Sequence, residues 1–145
     1  MFIGCEAISN LVLSVFNTSN VTNMSYMFRN CKSLTSLDLR GFDVSKVTHV
    51  YETFRLCSEL RSIDISSWDT SNMTDIGYMF QSDPNLTTIY VSERWDISSN
   101  PRSTSMFSGC TSLPNYNYYI TDSRRAYYGG DGLGYLTYKA YPANP

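Results

Sequence analysis

Charge is scarce in this 145-residue sequence: Asp, Glu, Lys and Arg make up 17% of it, and 11 basic against 13 acidic residues leave a formal net charge of −2. The few Lys and Arg gather on no single expected face, so the basic footprint of a nucleic-acid-binding protein is missing and no nucleic-acid partner is expected. No segment approaches the roughly 18 apolar residues that a membrane-spanning helix needs, and no basic stretch followed by an apolar run of signal length opens the chain. Membrane insertion of this segment is therefore not expected. Histidine occurs once, at His49, and no G-x-S-x-G phrase accompanies it. A Ser-His-Asp site would have to be assembled from His49, Asp75 and one of many serines without an oxyanion signal, so no enzymatic activity is expected. Cysteines number four, too dispersed to converge on a metal, and neither metal nor other cofactor is expected.

What the sequence has instead is a repeat. Phe2, Phe28, Phe54 and Phe80 are each 26 residues apart, and Phe107 follows after one inserted residue. Cys5, Cys31 and Cys57 keep the same step, as do Ile8/Leu11/Leu13, Leu34/Leu37/Leu39, Leu60/Ile63/Ile65 and Leu86/Ile89/Val91. Self-similarity at such a period is the signature of a stacked array, in which each unit contacts its neighbours and cannot bury its apolar face alone. If equivalent cysteines stand one strand spacing apart, roughly 5 Å, Cys5–Cys31 or Cys31–Cys57 bridges are within reach. The regular spacing favours the other reading, a column of reduced thiols used as small buried hydrophobes. At the fourth unit Asp83 interrupts that column, leaving Cys110 with no cysteine on the coil before it.

The unit at 27–51 stands for the rest. Leu34-x-x-Leu37-x-Leu39 places Leu37 and Leu39 on one face of a short strand, with Ser36, Asp38 and Arg40 on the other. Gly41-Phe42-Asp43 then turns a corner, and Phe16, Phe42, Trp68 and Trp95 form an aromatic column there. Beyond it, Val47, Val50 and Phe54, matched by Val21, Met24, Phe28 and by Met73, Ile76, Phe80, recur at the three- and seven-residue spacing of one helix face. Thr22, Thr48 and Thr74 are placed as N-caps. The expected coil is thus strand, corner, short helix, return: an α/β leucine-rich-repeat solenoid with short parallel strands on one side and short helices on the other.

Four coils of 26–27 residues fill 1–112, and 113–145 forms a Tyr-rich C-terminal cap. In the fourth coil Asn100 and Ser103 replace apolar anchors and Pro101 sits near the helix start, so irregular backbone is expected over 98–104. In the cap, Leu113-x-x-Tyr116-x-Tyr118 repeats the strand phrase as a fifth strand. A hairpin is expected with strands at 125–128 and 135–138 joined through Gly129-Gly130-Asp131-Gly132. Met1-Phe2 enters the phrase where Met27-Phe28 and Met79-Phe80 stand, and 141–145 has linker composition. The sequence is accordingly expected to be the C-terminal end of a longer array.

Several phrases resemble a known family. Asn17-Thr18-Ser19-Asn20-Val21-Thr22-Asn23-Met24-Ser25-Tyr26-Met27-Phe28, Trp68-Asp69-Thr70-Ser71-Asn72-Met73-Thr74-Asp75, Met106-Phe107-Ser108-Gly109-Cys110 and Gly134-Tyr135-Leu136-Thr137-Tyr138-Lys139 are similar to the repeat of BspA-like leucine-rich-repeat surface proteins. The resemblance covers nearly the whole chain and departs from the family wording at 48–53 and at Asp83. It implies a secreted or surface-anchored protein of host-associated bacteria, mycoplasmas or parasitic protists, engaged in adhesion and protein binding, with no catalytic motif to carry over.

The candidate contact residues follow from the repeat register. Asp38, Asp64 and Tyr90 share one column of the outward strand face, with Arg40 in the next column. Arginine and tyrosine have the character of interface anchors. Tyr119 and Tyr128 represent the tyrosine cluster of the cap, suited to a protein contact or to stacking on a sugar ring. The corner column Asn17, Asp43, Asp69 and Asp96 reads as a series of Asx-turns, with calcium as the competing reading. The expected function is a monomeric, non-catalytic adhesion or protein-interaction module that binds a host or microbial surface protein. A structural spacer and a glycan-binding module are the alternatives.

Overall fold

The computed structural model describes residues 1–128 and 132–141. Three strands form on the repeated apolar phrase: β1 (Ser36–Asp38), β2 (Ser62–Asp64) and β3 (Thr88–Val91). They pair in parallel with every residue opposite its equivalent one repeat away, Leu37 beside Ile63 and Ile63 beside Ile89. The inward residues Leu37, Ile63, Ile89 and Val91 are buried. Keeping this register is what holds the apolar set inside, because a slip of one residue would turn it outward. The fourth strand, β4 (Thr137–Tyr138), lies parallel to β3 with Tyr90 opposite Thr137, giving the order β1-β2-β3-β4.

The opposite side of each coil is not helical. Among the described residues the one helical segment is a 3-10 turn at Ser123–Arg125, and where the spacing predicts short helices the chain forms linked turns. Backbone N–H groups alternate in their use. Those of Met24, Tyr26, Phe28 and Asn30 donate to the carbonyls of His49, Tyr51, Thr53 and Arg55 in the next coil, at 2.8–2.9 Å. Between them, Met27, Arg29 and Cys31 close turns onto the carbonyls of Met24, Tyr26 and Phe28, at 3.1–3.2 Å. The same alternation joins coil two to three and three to four. It requires a left-handed residue every fourth position: Tyr26 and Asn30, Glu52 and Leu56, Tyr78 and Ser82, Ser105 and Gly109 all have φ between 49° and 81°. Such residues are incompatible with an α-helix. A helix this short is marginal in any case, whereas the turns spend half their donors on the neighbouring coil and so build a second inter-coil ladder.

Two smaller expectations change with the helices. Thr48 and Thr74 are not N-caps, since their hydroxyls donate to the Thr22 and Thr48 carbonyls of the preceding coil. The 98–104 segment keeps the pattern of the other coils, with Arg102 extending the series of parallel backbone bridges Asn23–His49, His49–Asp75 and Asp75–Arg102. Backbone bonding of this kind needs no particular side chain, so loss of two apolar anchors leaves the register intact.

One core runs the length of the described chain. Its axis is a pile of phenylalanines, with Phe2, Phe28, Phe54, Phe80 and Phe107 stacked at centroid spacings of 5.4, 5.7, 5.5 and 5.7 Å and planes within 11° of parallel. Phe28 to Phe107 are wholly buried, whereas Phe2, Cys5, Ile8 and Leu11 of the first coil are only partly covered. At the other end Tyr135, wholly buried, meets Phe107 edge to face at 5.2 Å.

The cap also departs from expectation. Residues 113–118 fold as turns, with Asn115 left-handed at φ 61° after Pro114, so the sheet's last place goes to β4 instead. The expected hairpin turn lies at residues 129–131, outside the described residues. Among the described residues its arms are joined by the backbone bonds of Tyr135 N–H to the Arg125 carbonyl and Leu136 N–H to the Tyr127 carbonyl. Residues 137–138 then pair with β3 and not with 125–128. A Cβ at Gly134 would run into the Tyr127 carbonyl, which is why glycine stands where the two segments cross.

Candidate binding surface

In-register strands bring four of the anticipated contact residues together. Asp38 is opposite Asp64, and Asp64 is opposite Tyr90. Two carboxylates directly across a strand pair repel each other, and two cations answer them. Arg40, just after β1, grips Asp38 through Nε and Nη2 at 2.9 and 2.6 Å and stands 3.5 Å from Asp64. From the far end of the sheet, Lys139 reaches Asp64 Oδ2 and lies over the Tyr90 ring, 5.1 Å from its centroid. The Arg40 hydrogen bond holds the Asp38 carboxyl at about 2 despite some burial. For Asp64 burial works against ionisation, but the Lys139 and Ser66 bonds prevail and keep its carboxyl below the ordinary value. The face therefore presents a fixed line of alternating charge ending in an aromatic ring.

Lys139 is the member that repeat arithmetic does not reveal. It sits beyond the last coil, and only the pairing of β4 with β3, sealed by Lys139 N–H to the Val91 carbonyl at 2.7 Å, carries it onto the column. Two open clefts flank this line and share Arg40 and Tyr141 as walls. One, of about 350 Å³, includes Asp69, Asn72 and Arg94. The other, of about 580 Å³, includes Asn10, Val12 and Ser36. Tyr141 lies on the Arg94 guanidinium, 4.7 Å from ring centroid to carbon.

The two anticipated cap tyrosines separate. Tyr119 is 85% exposed and pairs edge to face with Tyr118, which is 78% exposed. Tyr128 is half-buried, packed against the core and on Tyr138 at 5.0 Å between centroids. Among the described residues Tyr119 has no ring contact or ion pair with the strand-face line.

The corner Asn and Asp side chains form the anticipated Asx-turns. Oδ1 of Asn17, Asp43, Asp69 and Asp96 accepts the N–H two residues on, from Ser19, Ser45, Ser71 and Ser98, at 2.8–3.1 Å. His49 bonds to the Thr48 hydroxyl at 2.8 Å, while the Asp75 carboxylate is taken by Arg102 at 2.6 Å and the Gly77 N–H at 3.0 Å. All four cysteines are free thiols.

On the turn side the structure assembles a second surface that the sequence reading misses. Tyr26, Tyr51 and Tyr78 form an edge-to-face ladder at 5.6 and 5.5 Å, with Arg29, Arg102 and Arg55 lying over their rings. Glu52, nearly buried, pairs with both Arg29 and Arg55, at 3.1 and 3.0 Å. Tyr51 is one residue out of phase with the other two tyrosines, which is why a search at the repeat step overlooks it.

No curated protein and no solved structure matches the chain. A family model does match residues 1–119, that is, the four coils and the start of the cap; its description is "Mycoplasma protein of unknown function, DUF285". By that match over most of its length, the chain belongs to the DUF285 family.

Proposed function

We propose that the chain is a leucine-rich-repeat solenoid acting as a non-catalytic protein-interaction module at a microbial cell surface, with the strand face as its contact surface. The reading rests on one observation: Asp38, Asp64 and Tyr90 stand side by side on in-register strands, and Arg40 and Lys139, just beyond the ends of β1 and β4, join them in a single line. A partner that meets this line does not have to order it first, and cutting that ordering cost raises affinity. Alternating charge suits register-specific recognition of another protein, because misplaced like charges oppose the wrong partner. The surface location is supported by the likeness of the repeat to BspA-like proteins, and no helix among the described residues is long and apolar enough to cross a membrane.

The test is a binding screen of the chain against arrayed host and microbial surface proteins, followed by two variants. Arg40→Ala with Tyr90→Ala is expected to weaken the captured interaction by about 30-fold or more, the loss of a hot spot worth some 2 kcal/mol. Tyr118→Ser with Tyr119→Ser should leave it within about threefold, a change of under 1 kcal/mol. The reverse pattern, together with capture on glycans, would assign the function to the exposed Tyr118–Tyr119 pair and to a sugar ligand, the second reading its exposure supports. Absence of any saturable partner with the fold intact would favour a structural spacer.

A further inference from the structure

The thiol column has one hydrogen-bonding task, and one position cannot perform it as a cysteine would. Cys31 Sγ donates to the Phe2 carbonyl at 3.0 Å, Cys57 Sγ to Phe28 at 3.1 Å and Cys110 Sγ to Phe80 at 2.8 Å. Two of these carbonyls also take the N–H three residues on, Phe2 from Cys5 and Phe28 from Cys31, and Phe107 takes that of Cys110 in the same way. At the third coil both donors are gone. Cys57 N–H bonds instead to Asp83 Oδ1 at 2.8 Å, and the cysteine that would reach Phe54 is replaced by Asp83 itself. Among the described residues nothing donates to the Phe54 carbonyl. Asp83 is wholly buried and its Oδ2 lacks a partner. Two acceptors, the Phe54 carbonyl and Asp83 Oδ2, are thus left at a step where the other coils have an S–H donating to the phenylalanine carbonyl, and a buried acceptor without a donor costs about 1–3 kcal/mol.

We propose that Asp83 stands in the fold as a neutral carboxylic acid, its Oδ2–H replacing the cysteine S–H toward the Phe54 carbonyl, and that its ionisation makes the junction of the third and fourth coils a pH-sensitive break point. The groups facing it are the Cys57 and Cys110 thiols of the adjoining coils, both pushed up by burial first and, once Asp83 ionises, by its charge. No cation pairs with Asp83 among the described residues. Burial pushes the Asp83 carboxyl well above the usual range, opposed only by the Cys57 N–H.

A carboxyl whose pKa is raised by folding retains a proton that the unfolded chain releases. Its contribution is complete below the unfolded value of about 3.9, and is lost as pH rises through the folded value. Urea unfolding across pH 4 to 8, for the whole chain and for Asp83→Cys and Asp83→Asn, measures this directly. The wild-type unfolding constant should rise about tenfold more per pH unit than that of either variant, one proton's worth of linkage, until the folded value is passed. The Asp83 carboxyl ¹³C resonance, assigned through bonds in the wild-type chain, should hold its protonated position while the exposed aspartates titrate. Amide exchange at Phe54 and Leu56, whose N–H groups donate across this junction to the Met79 and Gln81 carbonyls, corrected for the intrinsic rate, should accelerate with pH more than at Tyr26 and Phe28. An Asp83 resonance that titrates with the exposed aspartates overturns the proposal even if both variants fail to fold, and so does an equal pH slope in variants that do fold.

Discussion

Phe54→Ala should cost about 4–5 kcal/mol, near the top of the range for truncating a buried aromatic. Phe54 is the middle of the aromatic pile: wholly buried, stacked on Phe28 at 5.7 Å and on Phe80 at 5.5 Å, and tilted against Trp68 at 6.4 Å. Its removal deletes two stacked pairs, each worth about 0.5–1.5 kcal/mol beyond area burial, and leaves a hole whose walls belong to three different coils. Those walls are fixed by ladders on both sides and have little freedom to collapse into it. In a stack whose stability is a sum of nearest-neighbour terms, damage in the middle also uncouples the ends. Guanidinium unfolding of Phe54→Ala should therefore show two transitions or a reduced m-value as well as a lower midpoint. Phe2→Ala is the control, because Phe2 is only partly covered and has a single parallel neighbour, Phe28. Half the burial and one stacked pair predict a loss of about 1–2 kcal/mol. If the two variants were destabilised equally, the pile would not be what holds the coils together.

The phenylalanine pile was legible in the sequence because stacking in register turns equal spacing along the chain into contact in space. The same arithmetic found β1, β2 and β3, the corner turns at Asp43, Asp69 and Asp96, and the Asp38–Asp64–Tyr90 column. It failed where the hydrogen-bond partner lies in another coil. Val47, Val50 and Phe54 have a helical spacing, and the turns that form instead bury the same three side chains. Apolar periodicity reports which residues face inward, and it cannot tell whether an N–H closes on its own coil or on the next one. The left-handed residues that decide the matter, Tyr26, Glu52, Leu56 and Tyr78 among them, are not of the types that usually mark such positions. Inter-coil bonds compensate their local strain, and these bonds belong to the stack and not to the segment.

The cap was misread for a related reason. Tyr116-x-Tyr118 alternates like a strand and Ile120 continues the phase, yet the left-handed Asn115 bends the chain away. Thr137–Tyr138 is shorter and carries a weaker pattern, but Tyr135 just before it has somewhere to go. Lys139 reached the strand face as a consequence, through a pairing between segments nearly fifty residues apart that no local signal announces.

Tyr135 is consequently the residue on which the cap depends, and Tyr135→Ala should cost about 3–5 kcal/mol, as for other buried aromatic truncations. The ring closes the open end of the pile against Phe107 and packs beside Tyr116 at 5.9 Å. Its hydroxyl donates to the Ile120 carbonyl at 2.8 Å and accepts the Asn117 N–H at 2.8 Å, so it also ties down the loop between the fourth coil and the 3-10 turn. Tyr135→Phe separates the two roles: keeping the ring while losing both bonds should cost about 1–3 kcal/mol, the penalty for buried groups left unpaired. Loss of the ring should release β4 as well, because Tyr135 lies only two residues before it, and with β4 goes the Lys139 contact to Asp64. Thermal unfolding would report the stability change, and the Lys139 ammonium resonance would report whether the strand-face line survives. An alanine variant that melts like the phenylalanine variant would mean that the hydroxyl, and not the ring, seats the cap.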